Sequence, residues 1–242
     1  KGGTRKGEGH GSGKKRGTKG HDGSLFLLID ESINFKLARE SKPFFGGIPM
    51  PKLGMEPIRK AALVKATIVE IGRAGSLDVT VSQIARRAGM SSALAHHYFG
   101  SKEEMFLAAM RHILTLYGAE VRGALAVAEG PEGRIRAILR ASFSPGNFRR
   151  EAVGAWLNFW VLAQTVPEAK RLLAVYQRRL RSNLIAGLRP LAGARAGAIA
   201  ESLGAMIDGL YLREVLKSGA PDGASAVALA LRLLEAELAR GA

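Results

Sequence analysis

From Ile58 onward apolar and polar residues recur with the 3.6-residue period of a helix, and no segment shows the strict alternation of a half-buried strand. Ile58, Leu63, Ala66, Ile68, Val69 and Ile71 fall on one broad apolar face that ends at Gly72 and Gly75, predicting a first helix. A second helix of about two turns is expected from Thr80, a third after Ser91 or Ser92, and a long one after Ser101. Others are predicted near 131–143, 149–164, 168–189, 195–217 and 223–240. The breaks between them fall at Gly130-Pro131, Ser144-Pro145-Gly146, Pro167, Pro190 and Gly219 to Gly223. The pattern therefore predicts an all-α fold of about nine helices.

The pattern also divides the chain. Residues 50–102 hold short helices with a surplus of basic residues, whereas residues 103–242 hold long helices rich in Ala and Leu. Ala194–Lys217 and Ala224–Ala239 carry more apolar residues than one packing stripe needs, which predicts a helix-pair interface between two copies, a homodimer. Residues 1–49 have no such period. Lys1 to Ser24 are mostly Gly, Lys, Arg, Ser and Thr, too polar to bury surface enough to offset the entropy of ordering. We expect a disordered basic extension there, upstream of a native start at Met50, with a nucleic-acid-binding arm as the alternative.

Composition narrows the function classes. The 242 residues, 47% hydrophobic and 24% charged, suit one or two globular domains. No apolar run reaches the roughly 20 residues of a membrane-spanning helix, so no membrane partner is expected. The absence of cysteine excludes disulfides, thiolate metal sites and a cysteine nucleophile, and inclines the expected location to the cytoplasm. A net charge of +15 favours a polyanionic partner. There is no nucleophile elbow, no phosphate-cradling loop and no paired metal-binding histidine motif, so no enzyme activity, cofactor or metal is expected.

The informative stretch is Thr80–Lys102, TVSQIARRAGMSSALAHHYFGSK. Thr80 and Gln83 have the spacing of a capping box, and Ile84, Ala85 and Ala88 give the short helix an inner face. Gly89 stands where the chain must turn, because glycine tolerates the left-handed conformation that ends a helix. Met90 fills the corner, and the next helix buries Leu94 or Ala95 with Tyr98 and Phe99. Small residues at the crossing, a glycine turn and a capped second helix make a helix-turn-helix, whose second helix enters the major groove. His96 and His97 are adjacent, so they point about 100° apart and cannot share a metal ion.

The run from Ile68 to Phe106, with its ARRAGMS core and its HYFxSKE ending, resembles the DNA-binding domain of the TetR family of repressors. MPKLGMEPIRK at Met50, AWLNFW at Ala155–Trp160, RRLRSNL at Arg178–Leu184 and MIDGLYLR at Met206–Arg213 are similar to the choline-responsive members of that family, which control glycine betaine synthesis. The resemblance implies a repressor whose second helix of the motif reads a palindromic double-stranded DNA operator. It implies base contacts from Ser92, Ala93 and Leu94, backbone contacts from His97 and Tyr98, and a place for Ser91 and His96 in the same DNA-binding set. A phosphate at Lys102, and another at the backbone amides of Thr80 and Val81, complete the expected set. Ala93 stands where the family often has glycine and His96 where it often has tyrosine, which leaves the operator sequence open.

Residues 149–217 hold both tryptophans and two of the four tyrosines. Trp156, Phe159 and Trp160 share one helix face, and Asp208 sits within the apolar run AMIDGLYL, three residues before Tyr211. Aromatic faces with one carboxylate suit a quaternary ammonium ion, held by cation–π attraction of roughly 0.5–2 kcal/mol per ring. Trp156, Trp160, Tyr176, Asp208 and Tyr211 are therefore the expected effector contacts, and the resemblance implies choline as the effector. The plainer alternative is an aromatic core with Asp208 paired to Arg213 or a neighbouring arginine. A TetR-type repressor sensing another hydrophobic or cationic compound, a basic DNA-compacting protein and a helical enzyme acting on a cationic substrate are the competing functions.

Overall fold

A computed structural model describes residues 54–240; the basic extension expected over residues 1–49 lies outside the described residues. Among the described residues there are nine α-helices and no strand. They are α1 (Met55–Ala74), α2 (Val81–Arg87), α3 (Ser92–Phe99), α4 (Lys102–Ala126), α5 (Gly130–Ser142), α6 (Arg150–Thr165), α7 (Pro167–Ala192), α8 (Ala196–Val215) and α9 (Gly223–Ala239). A single 3-10 turn, Gly193–Arg195, leads into α8.

Most helix starts follow from local chemistry. The Ser101 side chain accepts from the Glu104 amide at 3.1 Å to open α4, and Asp222 accepts from the Ser225 amide at 2.9 Å to open α9. Prolines occupy the first turns of α5 and α7, where a missing N–H has no consequence. Two expectations need correction. The break predicted at Pro190 does not occur, and α7 continues to Ala192. Pro190 lies in the last turn and deprives only the Ala186 carbonyl of a partner; Ala186 is exposed, so water can supply one. Ile58 is not part of the apolar face either. It sits in the first turn of α1, 57% exposed, ahead of the buried run that begins at Leu63 and packs on α2, α4 and α6.

Helices α1 to α3 and the start of α4 enclose a small core of Leu63, Ile68, Ile71, Val79, Ile84, Ala85, Ala95 and Phe106. The larger core lies among α5 to α9, where Ile135, Leu139, Leu184, Leu188, Ile199, Leu203 and Ile207 are almost fully buried. The two cores join along α1 and α6. At their crossing the backbones touch: a Cβ on Gly72 would lie 2.6 Å from the Glu151 backbone, and one on Gly154 would lie 3.1 Å from Gly72 Cα. Only glycine permits that approach, and it brings α6 directly against the first helix of the small unit. Ala226, Ala230 and Leu234 turn α9 inward, while Leu212 of α8, Leu216 just past its end and Leu229 of α9 stay exposed at 43%, 76% and 37%. No helix of the described residues is long and apolar enough to cross a membrane.

Candidate DNA-reading and effector sites

The reading head is organised by its caps and one glycine. Thr80 Oγ1 accepts from the Gln83 amide at 3.2 Å, and Gln83 Oε1 accepts from the Thr80 amide at 2.7 Å, so the predicted capping box is present. Gly89 takes a φ of +68°, which lets the Met90 amide donate back to the Ala85 carbonyl at 2.9 Å. Ser91, not Ser92, caps α3, its hydroxyl accepting from the Leu94 amide at 3.2 Å. Ser92 Oγ lies 3.0 Å from Ser82 Oγ and ties the starts of α2 and α3 together. Ala95, not Leu94, is the buried member of α3, at 0% exposure.

That burial decides which side chains face outward. Ala93, His96 and His97 are exposed, with Ser92 and Leu94 half-buried at the start of the helix. His96 Nδ1 lies 3.2 Å from the Gly100 carbonyl. Val81 is half-buried against the core, and its backbone opens α2. The Lys102 ammonium donates to the Leu77 carbonyl at 3.3 Å and lies 5.6 Å from the Phe106 ring centre, so the protein already holds it in place. Tyr98 is half-buried and accepts at its hydroxyl from Arg59 at 3.4 Å, with the Lys60 ammonium 5.9 Å from its ring. Arg59 and Lys60 were missed by the motif, which starts beyond them, although both are basic residues in the first two turns of α1. Arg87 is drawn to Glu70 of α1, leaving Arg86 exposed.

A second cluster lies in the larger core. Trp156 on α6 is its hub, with ring centres of Tyr176 at 4.9 Å, Phe159 at 5.9 Å, and Trp160 and Tyr211 at 6.2 Å. Tyr211 in turn meets Phe148 at 4.8 Å and Phe143 at 6.0 Å, and Tyr176 meets Tyr117 at 5.5 Å. Trp156, Tyr176 and Tyr211 are buried, and Trp160 and Asp208 half-buried. The hydroxyls are tied down: Tyr211 donates to the Ser142 carbonyl at 2.6 Å, and Tyr117 Oη lies 3.1 Å from Ser142 Oγ. Asn147 donates to Glu120 at 2.7 Å and to the Ala141 carbonyl at 3.0 Å.

The electrostatics of this cluster are one-sided. Asp208 makes no hydrogen bond or ion pair among the described residues, and the expected partner Arg213 is exposed on the far side of the same helix. Burial, with Glu201 adding like-charge repulsion, pushes the Asp208 carboxyl up to about 6. Burial also pushes the Tyr117 hydroxyl up to about 12 and those of Tyr176 and Tyr211 well above the usual range, with the Asp208 charge contributing at all three. All three tyrosines thus feel the Asp208 carboxylate, Tyr117 and Tyr211 also feel that of Glu120, and among the described residues no cation pairs with Asp208. Of the five expected effector residues, Trp156 meets Trp160, Tyr176 and Tyr211 directly, and Asp208 acts on the tyrosines through its field. Tyr117 was not expected; its spacing of four from Ile113 and Val121 on α4 was the available signal. Asn147 lies in a segment that reads only as a break. No group of His, Asp or Glu among the described residues could hold a metal.

A helix-turn-helix head seated on a larger helical body with a buried aromatic cluster defines a DNA-binding transcription regulator. Residues 63–109 match the tetR family of bacterial regulatory proteins, and residues 131–239 match the BetI-type transcriptional repressor, C-terminal. The chain is 54% identical over 181 residues to the HTH-type transcriptional regulator BetI of Brucella suis biovar 1, covering 74% of this chain and 91% of that protein. It is 49% identical over 190 residues to BetI of Rhizobium meliloti, covering 78% and 94%. The chain belongs to the TetR family, on its BetI-type branch, and is a DNA-binding transcriptional repressor and not an enzyme. Among solved structures, a transcriptional regulator of Pseudomonas aeruginosa PAO1 superimposes with a TM-score of 0.65 at 26% identity, over 76% of this chain and 91% of that one. A Saccharomonospora viridis regulator, solved in complex with choline, shares the fold with a TM-score of 0.65 at 20% identity, over 74% and 96%.

Proposed function

We propose that this chain represses genes for the conversion of choline to glycine betaine, and that choline is the effector it senses. The observation that carries this reading is the uncompensated carboxylate of Asp208 among Trp156, Tyr176, Tyr211 and Tyr117. A quaternary ammonium ion has no N–H to donate. It gains only from charge and from the negative faces of aromatic rings, and this cluster supplies both. The name shared by the similar BetI proteins supports the same choice.

In this reading two copies pair through α8 and α9, and exposed Leu212, Leu229 and Leu216 at the end of α8 would then be covered. The chain works as a reading head over 50–102 and a sensing and pairing part over 103–242. Each head lays α3 in a major groove of a palindromic operator, with half-sites about 34–36 Å apart or a multiple of that. Ser92, Ala93 and Leu94 meet base edges. The Thr80 and Val81 amides, Ser91, His96, His97, Tyr98 and Lys102 meet the sugar–phosphate backbone. The site of action is the cytoplasm, where the operator is. Choline bound beside Trp156 biases the attitude of the head through α6, and by linkage a ligand that weakens DNA binding itself binds the DNA-bound form less tightly.

The test is a DNA-binding titration of the protein against its own upstream region, with and without choline. Tight binding that choline weakens is the expected result. Tight binding indifferent to choline would leave the repressor and discard choline, and binding no tighter than to random DNA would discard control of its own operon.

A further inference from the structure

The strongest charge in the described residues is not on the reading head. Helix α7 carries Lys170, Arg171, Arg178, Arg179, Arg181 and Arg189 against Glu168 alone, a net +5, whereas α1, α2 and α3 together carry +4. All six basic residues are exposed. Their side chains are also largely unneutralised. Of the six, only Arg181 has an ion pair among the described residues, a loose 3.7 Å contact with Glu201, whereas Arg111 of α4 pairs with Glu104 and Arg136 of α5 with both Glu132 and Glu235. At 100° per residue, Arg171, Arg178, Arg181 and Arg189 fall within an arc of about 80° on the side opposite buried Tyr176 and Leu180. At 1.5 Å per residue the ridge they form is about 27 Å long.

We propose that this ridge is a second, sequence-independent DNA-binding surface, which holds the phosphate backbone of a duplex other than the one read by α3. Five of the six cations are arginines, whose planar forks suit phosphate oxygens and never lose their charge. The exposed residues between them, Ala174, Gln177, Ser182 and Ala186, offer no aromatic or large apolar anchor. A folded acidic protein needs such anchors at the centre of its interface. A rod of phosphates does not; along 27 Å one strand of a duplex presents about eight of them. Helix α7 packs chiefly on α5, α6 and α8 and lies in the sensing part, so its ridge serves a different segment of DNA. The surface lets a repressor seated on one site gather a second stretch of duplex, and it acts whether or not effector is bound.

The test loads the full chain onto an immobilised random-sequence duplex and offers a second, fluorescent random duplex. The comparison protein carries Arg171→Gln, Arg178→Gln, Arg181→Gln and Arg189→Gln, exposed changes between residues of similar helix propensity, with circular dichroism as the check on folding. The wild-type chain captures the second duplex, and the variant captures at least tenfold less while remaining on the first. Losing four phosphate contacts also makes the plot of log affinity against log salt shallower by about 3 to 4. Equal capture by both proteins, an unchanged salt slope, or no capture by the wild type overturns the proposal. If polyglutamate at matched charge displaces the second duplex as well as free DNA does, the ridge reads carboxylates and the assignment to DNA is also overturned.

Discussion

Replacing Asp208 with asparagine tests the proposed effector cluster through two opposite effects of one charge. The carboxyl titrates at about 6 in the folded chain against an ordinary 3.8. At 1.36 kcal/mol per unit, the ionised group costs the unliganded fold about 3 kcal/mol. The sign follows from the raised value: the stabilising contribution of the protonated form is complete below pH 3.8 and is lost as pH rises through about 6. Asp208→Asn keeps the shape and removes the charge, so it leaves stability near wild type at pH 4 and raises it by about 3 kcal/mol at pH 8, roughly 6–12 °C in melting temperature. Choline reverses the ranking. A carboxylate about 4–5 Å from a cation, at an effective dielectric of about 20, is worth roughly 3–4 kcal/mol, so the substitution weakens choline binding a hundredfold or more. Wild-type affinity also rises with pH until the carboxyl is ionised, above about pH 6, and the variant's stays flat. The assays are thermal melts at pH 4.5 and 8 and calorimetric titration with choline over the same range. A variant no more stable than wild type at pH 8, or one binding choline with the wild-type pH profile, would refute the reasoning.

Three further outcomes follow from the head and its seat. Thr80→Ala removes half of the capping box and costs about 1 kcal/mol of stability with weaker operator binding; an unchanged urea midpoint would show that the cap contributes nothing. Gly72→Ala puts a methyl 2.6 Å from the Glu151 backbone, so α1 and α6 must separate at a cost of about 1–3 kcal/mol, read from chemical denaturation; no loss would mean that the helices are free to slide apart. Gly89→Val forces a β-branched residue into a φ of +68°, costing about 1–2 kcal/mol and tilting α3. Operator affinity should fall more than far-ultraviolet dichroism changes, and full retention of affinity would count against the turn geometry.

Much of this molecule was legible in its sequence because the signals are local. A capping box needs only residues three apart, a left-handed turn needs only Gly89, and an apolar stripe repeats within one helix. Those features determine the order and ends of the helices and the helix-turn-helix. Pro190 escaped the same logic because a proline's effect depends on whether the carbonyl it orphans can reach water, and Ala186 is exposed only by how α7 packs. Ile58 reads as core by spacing and is bare because α2, α4 and α6 cover the helix further along, from Leu63. The aromatic cluster was half legible: Trp156 and Trp160 share one helix, but Tyr117, Tyr176 and Tyr211 come from three others. Sequence spacing states which residues share a face and is silent on which faces meet. The tertiary structure alone brought Tyr117 to Tyr176, left Asp208 without a cation and set Gly72 against Gly154, because burial and charge compensation are properties of the assembled core and of no single segment.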